Sequence, residues 1–377
     1  MLGVYSVDSG KIVYNGNNFI NPISDVTNIK FKPTSSKELL DKLTNSRHFY
    51  HLHNIDNAIF YSSVEYFKSI GASWCNLPVT TKMISSPGEI YAGKKLNYTT
   101  DALPISLDWF DAGKIFLAES SQFYLELRLL IDRLDKVFSI YNSFRKEPAD
   151  FSHLSEFQHI EFEGHVSFEE NIKIYVGLLR YITKFIIENN YEDLSYYLSK
   201  SEIKDLETSF DDVNIETITF EDAMDLLADK LNDSKYKTKS LKNFGSYEEV
   251  ALTRIIGKHC NVIEFPIEEI PFYHDLSFKD KNGKSYAKNA DLILLGYREI
   301  VGSGQRITDV NAIQQKAEFF NLPLLDYEPY IDLRKMEKYR QTCGFGLGWQ
   351  RYTQWLLKLP FIWEASHIPR GHFEPRP

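Results

Sequence analysis

The chain has 377 residues, 43% hydrophobic and 14% aromatic, enough apolar material for one large core. Charged residues at 25% exclude a disordered or low-complexity chain. Lys and Arg number 43 against 52 Asp and Glu; the net charge of −9 argues against broad, sequence-independent attraction to nucleic acid.

Cys75, Cys260 and Cys343 are too far apart for a zinc pattern and too few for a disulfide framework, which suits a reducing cytoplasm. No apolar run is long enough to span a bilayer, and the N-terminus has no signal-like apolar stretch, so a soluble cytoplasmic protein without a membrane role is expected.

In chain order, residues 1–36 read as short strands and turns around "VDSGK" and "YNGNN". "SSKELLDKL" predicts a helix capped by Ser36. In "IDNAIFYSSVEYFKSIG" the spacing of Phe60, Val64 and Phe67 predicts a helix with that buried stripe, stopped at Gly71. A strand-like piece meets Pro78; a short strand at "FLAE", a helix from about Ser121 and a strand from Val137 to Phe144 follow. "EFQHIEFEG" alternates, placing Phe157, His159, Glu161 and Glu163 on one strand face. Residues 166–245 are mostly helical and acidic. "NADLILLGYREIVGSGQRI" predicts two strands around a turn, "NAIQQKAEFF" a helix, and "CGFGLGWQRYTQWLL" a glycine strand feeding a helix. The order predicts an α+β fold, an antiparallel sheet flanked by helices.

Four pieces carry chemistry. "FRKEPADFSHLSEF" brings Arg145 and Glu147 near His153 and Phe157; a phosphate needs a guanidinium fork, and a purine needs a flat partner and an acceptor. Asp291 and Glu299 suit a magnesium ion carried by a nucleotide phosphate, although spacing alone favours two exposed acids on an edge strand. In "GSGQRI", Gly304 lets backbone approach a ligand and Arg306 can clamp a carboxylate, the plain alternative being a hairpin turn with a surface Arg. In the last, Gly344, Gly346 and Gly348 alternate before Arg351. Their third glycine comes too early for a dinucleotide turn, whereas a flat ring fits such a strand.

Jointly these pieces resemble the catalytic domain of class II aminoacyl-tRNA synthetases, aspartyl/asparaginyl subgroup, from about residue 40 to Arg370. "GASWCNLP" resembles motif 1, a dimer element; "FRKEPADFSHLSEFQHIEFEG" resembles motif 2, and "GFGLGWQR" motif 3. The resemblance implies ATP and Mg2+ as cofactors and a homodimer. It implies Arg145 on the α-phosphate, Glu147 and Phe157 on adenine, His153 and Arg351 on the terminal phosphates, and Gly346 and Gly348 beneath the ring. Asp291 and Glu299 fall at magnesium, and Glu119, Gln122, Glu161, Gly304 and Arg306 around the amino acid. Leu125, where aspartyl enzymes have Lys, and Glu161, where they have Asp, favour the asparaginyl branch. Departures are Gln350 for an acid in motif 3 and Ser152 for an Arg in motif 2.

The family also has an N-terminal anticodon-binding OB-fold. Residues 1–36 are too few for it, so the expectation is a short extension followed by a catalytic domain at 37–377, with tRNA doubtful as a partner. The expected reaction is adenylation of aspartate or asparagine, then amide formation with ammonia or another small amine, like asparagine synthetases that resemble this core. Rival readings are a ligase serving another amine or carrier, a truncated asparaginyl-tRNA synthetase acting on tRNA, and a non-catalytic amino-acid or nucleotide-binding regulator. His48, His51 and His53 lack a second ligand pair at zinc spacing and are expected to have surface or packing roles.

Overall fold

A computed structural model describes residues 3–85, 104–111, 113, 115–147 and 149–372. An eight-stranded sheet organises it, ordered β3-β7-β8-β15-β14-β13-β10-β9. Its strands are β3 (Ser73–Trp74), β7 (Lys136–Phe144), β8 (Glu156–Gly164), β9 (Ile215–Thr219), β10 (His259–Ile263), β13 (Asn289–Ile293), β14 (Glu299–Gln305) and β15 (Cys343–Gly348). Pairing is antiparallel except at the two ends, where β3 runs parallel to β7 and β9 to β10. Outside it, β1 (Tyr5–Asp8) and β2 (Lys11–Tyr14) form a hairpin, β4 (Thr80–Thr81), β5 (Ser106–Leu107) and β6 (Ile115–Leu117) a small sheet, and β11 (Leu276–Lys279) and β12 (Ser285–Ala287) a ribbon.

Register makes the sheet two-faced. One cross-strand row runs Ser139, Glu161, Gly346, Gly302, Asp291; the next runs Val137, Glu163, Gly344, Gly304, Asn289. Because side chains alternate, the residues between these rows point the other way. Phe138, Ile160, Phe162, Leu292, Val301, Phe345 and Leu347 thus form the apolar face. Helices α2 (Arg47–Ser69) and α4 (Phe168–Asn189) cover it; Phe67 stacks on Phe138 at 4.4 Å, and Phe162 on Phe345 at 5.4 Å. Helix α4 begins at Ser167, whose side chain caps the Glu170 amide, and carries a buried stripe of Ile174, Leu178, Ile182 and Ile186.

Helices α3 (Gln122–Arg128), α7 (Phe220–Leu231), α8 (Ser246–Ile256), α9 (Val310–Phe319) and α10 (Leu324–Asp332) frame the polar face, whereas α11 (Trp349–Leu356) packs with α2 and α4 and brings Arg351 to the site in its first turn, and α5 (Tyr191–Tyr197) and α6 (Lys200–Leu206) follow α4. The N-terminal hairpin is fastened to the same core: Arg254 Nε donates to the Tyr5 carbonyl at 2.7 Å, and the Tyr5 hydroxyl donates to the Pro360 carbonyl at 2.8 Å.

The strands of the two hairpins fall where alternation placed them. Three local expectations shift. Helix α1 (Ser36–Asn45) is capped by Ser35, which forms a capping box with Glu38, so Ser36 is its first residue rather than its cap. Helix α2 starts at Arg47, and its buried stripe runs through Leu52, Ile55, Ile59 and Phe67; Phe60 faces solvent. Two of the histidines pack and the third is exposed, the surface or packing roles expected: His51 hydrogen-bonds Asp193 at 2.8 Å, His48 lies between the Tyr197 hydroxyl and the Glu364 carbonyl, at 2.8 and 2.9 Å, and His53 faces solvent.

Candidate active site

The polar face of the sheet opens into a cavity of about 390 Å³. Gly302, Gly304, Gly344, Gly346 and Gly348 of β14 and β15 all belong to this face; Gly302 and Gly346 line the cavity and Gly348 its side pocket, while the His274 ring covers Gly304 and the Glu163 carboxylate covers Gly344. A methyl group at Gly346 would stand 3.3 Å from Glu161 Oε1 and 3.7 Å from Gln122 Nε2, within the space an occupant needs. At Gly344 it would meet the Glu163 carboxylate and the Phe162 carbonyl.

One end of the cavity is built by the β7–β8 hairpin and the start of α11. Arg145 follows β7, its amide donating to the Ser155 carbonyl at 3.0 Å and its guanidinium lying 5.4 Å over the Phe157 ring. Arg145, Glu147, His153 and Phe157 share a side pocket with Gly346, Gly348 and Arg351. Arg351 is held in place rather than loose: Nη1 donates to the Glu299 carbonyl at 2.9 Å and lies 3.6 Å from Glu299 Oε2. Glu299 of β14 lines the same side pocket, so the residues expected around ATP, from the hairpin, β14, β15 and α11, all meet there.

Asp291 and Glu299 are not exposed acids of an edge strand. They occupy central strands and approach one another above Gly302, whose added methyl group would lie 3.0 Å from Glu299 Oε1 and 3.8 Å from Asp291 Oδ1. Burial first, then the charges of Glu299 and Glu249, holds the Asp291 carboxyl well above its ordinary value. Two facing carboxylates whose repulsion raises a pKa fit a hard divalent cation, and they accept only, as its oxygen ligands must. Among the described residues there is no cluster of three or more His, Cys, Asp or Glu suited to a metal.

The other end is built by α3, β8 and the end of β14. Glu161 accepts from Ser120 Oγ at 2.7 Å, from the Ser121 amide at 3.2 Å and from the Tyr141 hydroxyl. Burial nevertheless raises its carboxyl to about 7, against the pull of those donors. Gln122 lines the same wall, and Glu119 accepts from Ser85 Oγ at 2.9 Å. Arg306 is no surface residue: 2% exposed, it grips Glu163 through Nε and Nη2 at 3.1 and 2.7 Å, with its guanidinium 5.0 Å from the Tyr273 ring. Behind this pair, Glu126 holds Arg334 at 2.8 Å and accepts from the Tyr330 and Tyr339 hydroxyls.

Sequence reasoning missed two contributors. Glu163 was placed on the correct face but given no role, and it fixes the orientation and charge of Arg306. Arg298 lines the cavity, grips Glu249 at 3.1 Å and donates to Ser152 Oγ at 2.6 Å. Ser152 stands where motif 2 was expected to bring an Arg, so a guanidinium reaches that spot from the β13–β14 turn instead. The second departure, Gln350, ties α11 to β8: its Oε1 accepts the Gln158 amide at 2.9 Å. Leu125 does not face the amino-acid end at all; it packs with Cys75, Leu129 and Val137.

This architecture is that of class II synthetases. The asparaginyl-tRNA synthetase of Pyrococcus horikoshii, solved with asparaginyl-adenylate, superposes with a TM-score of 0.73 at 24% identity, over 90% of this chain and 73% of that one. The family model for class II tRNA synthetases (D, K and N) matches residues 96–372, and the chain belongs to that family. It is thereby an ATP-dependent ligase that forms an aminoacyl-adenylate. An asparagine–tRNA ligase of Lactobacillus johnsonii is 27% identical over 361 residues, 93% of this chain and 78% of the relative. One from Thermus thermophilus is 29% identical over 285 residues, 74% and 62% of the two chains. No helix among the described residues is long and apolar enough to cross a membrane.

Proposed function

We propose that the chain activates a four-carbon amino acid, asparagine or aspartate, as its adenylate. The observation that carries this reading is the single cavity joining Arg145, Glu299 and Arg351 at one end to Gln122, Glu161 and Arg306 at the other, over a glycine floor. ATP lies with its base by Phe157 and Glu147 and its phosphates near Arg145, His153 and Arg351. The amino acid's ammonium meets Glu161, its far polar group meets Arg306, and a carboxylate is left facing Arg145.

The reacting carboxylate oxygen attacks the α-phosphorus in line, and pyrophosphate leaves. Arg145 is already in place where charge develops, so little reorganisation is needed. Asp291 and Glu299 would hold magnesium, which supplies charge neutralisation on the phosphates. Arg351, positioned by Glu299, keeps the leaving phosphates aligned.

Glu163 has already met the charge of Arg306, which supports a neutral carboxamide there and hence asparagine, activated at its α-carboxylate. Aspartate reversed, with its α-carboxylate on Arg306 and its β-carboxylate at Arg145, is the second reading and leads to amide formation with ammonia. The net charge of −9 favours such a small acceptor. The names of the relatives support tRNA instead, and the expectation of tRNA independence finds no support in them. AMP release measured with each amino acid, plus ammonia, other small amines or tRNA, separates these; no stimulation by any acceptor would contradict ligase action beyond the adenylate.

We also place a homodimer contact on α2 and β3, where Tyr50, Tyr61 and Trp74 are exposed. Sedimentation tests it. The three buried, unpaired cysteines support a reducing, cytoplasmic setting.

A further inference from the structure

Away from the sheet, a second cavity of about 360 Å³ lies between the segment entering α1, the first turns of α2 and the chain after Phe361. Its volume is that of a small-molecule site. Aromatic faces make its walls: Phe31 and Trp363 are 5.5 Å apart, Trp363 stacks on Phe361 at 4.5 Å, and Phe19 stacks on His48 at 5.2 Å. Lys32, Lys42 and Arg370 line it as cations; Lys32 and Lys42 are exposed and have no ion-pair partner among the described residues.

Its imidazoles are already committed. His48 uses both ring nitrogens on Tyr197 and the Glu364 carbonyl, and His367 Nε2 lies 2.9 Å from the Phe49 carbonyl. One acceptor is left over. Glu364 Oε2 is shielded from solvent with no hydrogen-bond partner among the described residues. Burial raises that carboxyl to about 7, so a donor that bonds its ionised form gains by doing so.

Stacking faces, one buried acceptor and a cationic rim match a flat heterocycle that carries an N–H donor and an anionic tail. We propose that this cavity is a second ligand site for a nucleoside monophosphate, its base against the rings of Phe31, Phe19 and Trp363 that line the wall, with an N–H on Glu364, and its phosphate on Lys32, Lys42 and Arg370. The site is separate from the sheet's polar face but tied to it. The Arg370 carbonyl accepts the Ser155 amide at 2.8 Å, and Ser155 in turn accepts the Arg145 amide at 3.0 Å. Residue 370 also bridges Glu156 at the start of β8, and the Ala149 amide lies 3.2 Å from His372 Nδ1. The chain closing the second cavity thus forms part of the hairpin that carries Arg145.

The test uses the full chain carrying Arg145→Ala and Phe157→Ala, which silences nucleotide binding at the sheet. Calorimetry with AMP, GMP, CMP and UMP is compared with inorganic phosphate. At least one nucleotide is expected to bind one-to-one, and to weaken by about tenfold or more in added Lys32→Gln/Lys42→Gln and in added Glu364→Gln. The two lysines are exposed, and thermal midpoints check that each variant folds. The proposal is overturned if none of the four nucleotides binds, if phosphate binds as tightly as they do, or if affinity is unchanged in the lysine variant.

Discussion

Glu161→Gln isolates the amino-acid end of the site. The side chain is 1% exposed, and its carboxyl is raised by burial to about 7 despite three donors. Glutamine resembles its neutral form, so the variant should fold. A charged hydrogen bond to the substrate ammonium is worth about 1.5–3 kcal/mol, so the amino-acid KM in pyrophosphate exchange should rise roughly 10- to 150-fold. The ATP KM should hardly move. The ammonium binds the ionised carboxylate, so the wild-type amino-acid KM should worsen about tenfold per pH unit below 7, and that slope should vanish in the variant.

Stability moves the opposite way. The folded carboxyl titrates above its ordinary 4.5, so the native state binds more protons between 4.5 and about 7, and stability falls as pH rises through that window. The shift corresponds to about 3 kcal/mol by linkage, a cost the glutamine avoids; its midpoint at pH 8 should not lie below the wild type's. An unchanged KM together with a retained pH slope would refute the placement of the ammonium at Glu161.

Four further outcomes follow from the same geometry. Arg145→Ala should lower the exchange kcat by about 2–4 kcal/mol of transition-state stabilisation, roughly 30- to 1,000-fold, with circular dichroism unchanged. Gly346→Ala should weaken amino-acid binding while the protein stays folded, whereas Gly344→Ala, which meets the Glu163 carboxylate and the Phe162 carbonyl, should lower the urea midpoint markedly. Glu163→Gln strips Arg306 of its counter-charge, so urea unfolding should show a loss of about 3–5 kcal/mol, and surviving activity should shift toward aspartate. Glu299→Gln should raise the magnesium concentration needed for half-maximal exchange, and an unchanged requirement would remove Glu299 from the metal site.

Much of this site could be read in the chain because its elements are local and periodic. Strict alternation placed Phe157, His159, Glu161 and Glu163 on one face of β8, and the structure has them so. Alternating glycines marked β15 in the same way. Long-range pairing was hidden. Arg306 and Glu163 meet from strands 143 residues apart, and Arg298 reaches Ser152 across 146. No spacing rule connects such residues, so Arg306 read as a turn neighbour and Ser152 as a missing charge. Position 125 pointed to the asparaginyl relatives without touching the ligand: α3 turns Leu125 into an apolar cluster. In α2, Phe60 kept helical spacing with Phe67, but the stripe that packs runs through Leu52, Ile55 and Ile59. Periodicity identified the helix there without fixing which side is buried.

Amino-acid-dependent exchange of pyrophosphate into ATP tests the central claim most directly. With magnesium present, asparagine or aspartate should support exchange, other amino acids should not, and Arg145→Ala should lower it roughly 30- to 1,000-fold. Exchange with neither of the two, from protein shown to be folded, would contradict the adenylation site described here.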